Sequence, residues 1–198
     1  MKEEVIELDS VEKYNRLFGL ETLHPMVSVV DLSKATRWPQ EFKVNYGVYA
    51  LFLKEICCGD ITYGRQPYDY QEGTIVCFAP GQVASFRMKE GTLPQCHGLL
   101  FHPDFIRGTQ LGRDIKHYSF FSYETREALH VSEDERRTVM DCLQKIDTEL
   151  RRPADKHSRR LISANIGLLL DYCMRFYERQ FTTREASNKD IIVRFEQL

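Results

Sequence analysis

A metal centre or an acid-base pair needs donors that converge, and the histidines, cysteines and carboxylates of this chain are spread in ways that discourage both. Zinc-type coordination takes several N, O or S donors within about 2.0 to 2.3 Å of the ion. The stretch YQEGTIVCFAPGQVASF at 70–86 has the turn punctuation of a ligand-holding β-barrel rim, yet it contains no histidine. His97 and His102 are an odd number of residues apart on one expected strand, which sends them to opposite faces. His97 reads as a core or pocket histidine, and His102 as a cap ahead of Pro103. A cluster of Cys77, Cys96 and His97 is conceivable, but no metal and no other cofactor is expected. Cys57, Cys58, Cys77, Cys96, Cys142 and Cys173 lie scattered among apolar residues, which suits buried, reduced thiols. Glu55 and Asp60 flank an expected hairpin and read as solvated turn charges. No paired carboxylates, Ser/His/Asp set or phosphate-cradling glycine loop is evident, so no catalytic residue is assigned and the chain is not expected to be an enzyme. Arg151, Arg152, Lys156, Arg159 and Arg160 form a basic cluster that Glu149 and Asp155 dilute. It reads as a solvated, dipole-compensating face more readily than as a grip on nucleic acid.

The elements that would position these residues fall into two halves. With 198 residues, 42% hydrophobic and 28% charged, the chain can bury a genuine core as one domain. Lys plus Arg number 27 against 29 Asp plus Glu, for a net charge of -2, a poor footprint for binding nucleic acid alone. The acidic start MKEEVIELDS lacks the basic and apolar regions of a secretory signal, and no apolar run approaches a membrane span. A cytoplasmic protein without membrane contact is expected.

In the first half, Ser10 to Gly19 carries an N-cap, an apolar stripe and a terminal glycine, which predicts a short amphipathic helix. A β region begins after His24-Pro25. The run VNYGVYALFLK from Val44 to Lys54 is apolar on both alternating faces and predicts a strand covered on both sides, one face carrying Tyr46, Val48, Ala50, Phe52 and Lys54. Gly59-Asp60 reads as a hairpin turn, with further strands near 68–70, 74–78, 83–87 and 96–102, separated by turns at Gly73 and Pro80-Gly81. Short strands with turns at intervals of roughly ten residues signal a small barrel or sandwich.

The second half is helical. Ser132-Glu-Asp-Glu135 is a capping-box pattern ahead of Val139, Cys142, Leu143, Ile146 and Leu150 at helical spacing, and Pro153 ends that helix. A second helix is expected from about Ser158 to Gln180, apolar over so much of its circumference that it needs two partners. A further helix capped by Ser187 or Asn188 carries Ile191, Ile192, Phe195 and Leu198 without a stop signal, so a chain truncated before another module is expected.

The ordered pieces HPMVSVVDLS, YALFLKE, YGRQPYDYQEGTIVCFAPGQV, GLLFHPDF, SEDERRTVMDCLQKIDTEL and LISANIGLLLDYCMRF together resemble the N-terminal regulatory domain of AraC-type bacterial transcription regulators, over nearly the whole chain. That resemblance implies an α+β fold: a small cupin-like β-barrel or double-stranded β-helix, followed by a C-terminal antiparallel helical pair. Its parts would be an arm and short helix at 1–22, the barrel at 23–125, dimerisation helices at 126–182 and, at 183–198, the start of a linker to a missing helix-turn-helix domain. The implied function is effector sensing and homodimerisation, with promoter DNA bound only through the missing domain. A stand-alone cupin-like binding protein or enzyme is the alternative. Metal-dependent cupins, which the 70–86 turn also resembles, would place histidine near Ala84 or Ser85, with a His-x-His pair and a glutamate on an earlier strand, and LFLKEICCGDITYG has Glu55 but no histidine. By matched motif, the effector pocket would involve Lys54, Phe86, Cys96 and Gly98, with Tyr46 and Phe52 as interior-lining residues and His97 as a pocket histidine. Where a sugar site would place ring-bearing side chains, Cys96 and Gly98 offer a thiol and none, so the interior either accepts something other than a sugar or is simply packed. The dimer helix would present Leu161, Ile162, Asn165, Leu168, Leu169, Tyr172 and Phe176, with Asn165 fixing register against its twin.

Overall fold

The computed structural model describes residues 5–55, 59–63, 66–67, 73–88, 94–122 and 128–196. The strand expected at 68–70, Cys57, Cys58 and the loop at 89–93 lie outside them. The chain begins with β1 (Val5–Leu8) and α1 (Val11–Phe18), the latter capped by Ser10, whose hydroxyl accepts from Lys13 N, and closed by Gly19 at φ 66°. There follow β2 (Val27–Asp31), β3 (Glu41–Tyr46), β4 (Tyr49–Lys54), β5 (Gly59–Tyr63), β6 (Gln66–Pro67), β7 (Thr74–Phe78), β8 (Val83–Met88) and β9 (Cys96–Phe101). Short helices α2 (Pro103–Ile106) and α3 (Gln110–Asp114) lead to β10 (Leu129–His130), α4 (Glu133–Arg151) and α5 (Ser158–Glu196).

The strands form two five-stranded sheets, ordered β1-β3-β8-β5-β6 and β10-β7-β4-β9-β2. All pairings are antiparallel except β1 with β3. Val44, Tyr46, Ile61 and Ala84 from the first sheet share one buried cluster with Ala50, Phe52, Phe78 and Leu100 from the second, so the sheets face each other. Among the described residues no ladder joins them, and the closed barrel expected from the sequence is here a pair of open sheets.

The alternation along β4 explains the layering. Ala50 and Phe52 point between the sheets, while Leu51 and Leu53 point into a second cluster shared with α4 and α5. The second sheet is therefore buried on both faces, as the two-sided apolar run predicts. The first sheet is one-sided: Arg87 and Glu41 pair across its outer surface at 2.8 Å.

Two strand expectations are corrected. Val44 to Lys54 is two strands, because the chain leaves one sheet at Gly47 and enters the other at Tyr49. Gly47 N–H donates to Leu8 O at 2.8 Å, and a Cβ there would lie 2.8 Å from Asp9 Cα, so only glycine fits where β1 and α1 cross the turn. Gly59 and Asp60 are not a turn but ladder positions, opposite Met88 and Arg87.

The helical half follows its local signals. Ser132 and Glu135 make a reciprocal capping box, and Arg152 caps α4 just before Pro153. Arg179 Nε on α5 meets Glu135 at the start of α4 at 2.8 Å, which makes the pair antiparallel across the 152–157 connection. α5 does not stop near Gln180; it runs 39 residues, about 58 Å, with Ser187 and Asn188 inside it rather than at a new start. No described helix is long and apolar enough to cross a membrane.

The helical pair shares its core with the second sheet: Val27, Leu51, Leu99 and Phe101 pack with Val139, Ile146, Ile166 and Cys173. A buried glutamine pins α5 to that sheet's edge. Gln180 Oε1 accepts from His130 N–H at 2.8 Å and its Nε2 donates to Ala128 O at 3.3 Å. Gln180→Leu keeps the bulk but leaves both backbone groups unpaired; urea unfolding should show a loss of about 1–3 kcal/mol, and an unchanged midpoint would show that this tie contributes nothing.

Candidate ligand-binding site

The space between the sheets is lined by rings drawn from non-adjacent segments. Phe42 stacks on Phe86 at 4.9 Å and 12°, and Tyr46 on Phe78 at 4.6 Å and 4°. Helix α1 closes one end: Tyr14 lies 5.6 Å from Phe52, and Phe18 lies 5.3 Å from Trp38. What remains open is a cavity of about 50 Å³. Occupied ligand sites run to about 300–1,000 Å³, so the interior is mostly packed and would take a ligand only by moving rings. Among the described residues, Trp38 Nε1 is buried at this wall with no hydrogen-bond partner, a donor in need of an acceptor in a mostly aromatic chamber.

Of the seven pocket residues expected from the sequence, Tyr46, Phe52, Phe86 and Cys96 do line this cavity. Burial pushes the Tyr46 hydroxyl far above its ordinary pKa, the nearby Cys96 adding to the effect, so it stays a neutral phenol. Lys54 is fully buried on the same strand face, engaged with partners and outside the cavity wall. Gly98 lies beneath Phe52: an added Cβ would stand 2.5 Å from Phe52 Cδ1 and 2.9 Å from Val30 Cγ2. The side chain missing at Gly98 is thus replaced by the Phe52 ring of the neighbouring strand. His97 is corrected. Adjacent to Cys96 on β9, it points to the opposite face, where its Nε2 is 3.8 Å from Glu55 Oε2 beside α4.

The sequence does not single out Trp38, Phe42, Tyr14 and Phe18 as walls. The available signal was the apolar stripe of α1, which has to be buried against something.

The expected dimer residues divide in two. Ile162, Leu169 and Phe176 are buried in the chain's own core, against the expectation that they face a partner. Leu161 and Leu168 are 44% and 41% exposed. Tyr172 is half-buried with the Arg175 guanidinium 5.6 Å over its ring, and Asn165 donates its amide to Leu161 O at 2.9 Å within its own helix. Leu161, Asn165, Leu168 and Tyr172 follow spacings of four, three and four, which is one stripe, set roughly a third of a turn from the buried one.

The basic cluster is largely occupied. Arg151 and Arg152 pair with Asp147 and Glu149, and Arg159 donates to Phe105 O at 3.0 Å and Arg107 O at 2.7 Å, satisfying carbonyls at the end of α2. Burial pushes the thiols of Cys77, Cys142 and Cys173 up, which keeps them protonated and poor nucleophiles. Among the described residues no three His, Cys, Asp or Glu side chains are grouped to hold a metal ion. No known family model and no curated protein matches this chain.

Gly98→Ala should force Phe52 and Val30 apart and cost about 1–3 kcal/mol in denaturant unfolding, with Phe52→Leu in the same chain recovering part of the loss. A stable Gly98→Ala protein with Phe52 unmoved would contradict this close packing.

Proposed function

We propose that this chain is the effector-sensing and dimerisation part of an AraC-type transcription regulator, with a cupin-like sheet pair as the sensor and α5 as the dimer helix. The observation that carries the reading is the open leucine stripe on α5: a helix already anchored by one apolar face presents a second, at helical spacing, to a partner. The motif resemblance supports the same assignment, since LISANIGLLLDY is the segment it places at the dimer seam. In the homodimer, Leu161 and Leu168 meet their counterparts across a two-fold axis, and Ile162, Leu169 and Phe176 hold α5 to its own sheet.

The sensor end takes a small, planar, apolar effector bearing a hydrogen-bond acceptor. The aromatic walls supply stacking surface, and the Trp38 N–H, unpaired among the described residues, supplies a donor. No catalytic step is assigned to it.

Leu161→Asp with Leu168→Asp should convert a dimer to a folded monomer in sedimentation; a wild-type monomer, or a dimer indifferent to both changes, defeats the dimer assignment. Calorimetric titration with sugars, aliphatic acids and flat aromatic acids should give saturable heat for the last group alone, weakened about fivefold by Trp38→Phe. Null heats throughout would remove the sensor.

A further inference from the structure

A second sheltered space lies outside the layer between the sheets. It is a groove of about 320 Å³ on the sheet's helix-facing side, bounded by β2, the 19–23 segment and α4. That volume is at the lower end of the range for small-molecule sites, whereas the interior cavity is about 50 Å³. Val29, Leu143 and Leu150 supply an apolar surface along it.

Two of its charge pairs are sorted by depth, and one exposed carboxylate, Glu21, also stands on its wall. The carboxylates of Asp31 and Asp147 are sheltered, with side chains 23% and 20% exposed. Lys34 and Arg151, their partners at 3.1 and 2.8 Å, are 77% and 58% exposed and stand at the rim. Each pair joins neighbours on one short segment and has an exposed cation, so each is worth only about 0–1 kcal/mol and yields readily to a competing ion. Burial pushes the Asp31 carboxyl up, but Ser33, Lys34 and His97 outweigh it and hold it below its ordinary value, so Asp31 is ionised. His97, directly across the ladder from Asp31, makes no hydrogen bond to the described residues through its half-buried imidazole.

We propose that this groove is a second binding site, for a compact zwitterion with an apolar body: an α-amino acid with an aliphatic side chain. Its ammonium group sits against Asp31 and Asp147, its carboxylate turns outward to Lys34 and Arg151, and its side chain lies on Val29 and Leu150. Both charges of the ligand are needed, because an amine alone leaves the rim cations to reclaim the carboxylates, and an acid alone meets sheltered negative charge. A ligand seated there ties α4 to β2, the edge strand of its sheet, and so stiffens the layer that carries α5. The site lies on the opposite face of the sheet from the aromatic cavity.

The test is calorimetric titration of the full chain with L-leucine, alongside 3-methylbutylamine and 4-methylpentanoate, which each lack one of its charges. Saturable binding of L-leucine is expected, with each half-molecule at least about tenfold weaker. Asp147→Asn should weaken L-leucine about tenfold or more, while Trp38→Phe, on the other face, should not change it. Asp31→Asn, which keeps the hydrogen bond to Ser33, serves as a second variant, and L-leucine should raise the urea midpoint of the wild type but of neither aspartate variant. The proposal is overturned by no saturable heat up to about 10 mM L-leucine, by equal binding of either half-molecule, or by an affinity that both aspartate variants leave unchanged. Those failures would leave the aromatic cavity and the dimer stripe untouched.

Discussion

Everything in this molecule hangs on a sheet whose central strands are covered on both faces. The strands β7, β4 and β9 alternate between two apolar clusters, with Ala50, Phe52 and Leu100 on one side and Leu51, Leu53 and Leu99 on the other. A slip of one residue in any of them would exchange the two sets, putting Phe52 where Leu51 meets the helices and leaving the interior rings unmatched. Register is therefore held by both neighbours at once. Gly98 is the clearest local expression of this, since Phe52 from β4 and Val30 from β2 both close over the bare backbone between them.

Burial on both faces also decides where polar chemistry can survive. Between the sheets the walls are rings and aliphatic side chains, and ionisable groups that stay there are kept neutral or engaged, as Tyr46 and Lys54 are. On the helix side the middle of the sheet is equally apolar, but toward β2 the cover thins, and His97, Asp31 and the Glu55–Arg136 pair at 2.6 Å are admitted. The sheet thus separates a tight aromatic chamber from a roomier, charged groove. Buried polar side chains elsewhere serve the backbone: Gln82 accepts from Ala79 N–H and donates to Phe121 O, tying the Pro80-Gly81 turn to the aromatic connector, as Gln180 ties α5 to β10.

The helices complete the partition and carry its consequences outward. α5 is bound by one stripe to the core and leaves another open, so the element that packs on the sheet is also the one that carries the exposed stripe. α1 acts from the opposite end, placing Tyr14 and Phe18 over the mouth of the space between the sheets. Sensing and self-association, in the proposed function, are then two faces of the same packed unit and not two modules in series.

Local signals in the sequence determined the elements whose stabilising contacts are themselves local. The Ser10–Gly19 helix, the Ser132–Glu135 capping box, the His102 cap whose Nδ1 accepts from Asp104 N–H, and the left-handed turns at Gly73 and Gly81 all depend on side chains within a few residues of the backbone groups they satisfy. The two-sided burial of β4 was legible for the same reason, since alternation is written in consecutive residues. The strand break at Gly47 was not, because the apolar pattern runs through it unchanged and the cause is β1 and Asp9 arriving from elsewhere in the chain. Nor could periodicity say which stripe of α5 was spoken for: Leu161 and Ile162 are both apolar, and only docking on the second sheet buries one and leaves the other. His97 reads in the sequence as a core or pocket histidine, while the pleat and the position of α4 put it in a separate groove. Sequence periodicity fixes which residues share a face, but what covers that face is settled by contacts between distant segments, and only the folded chain brings those together.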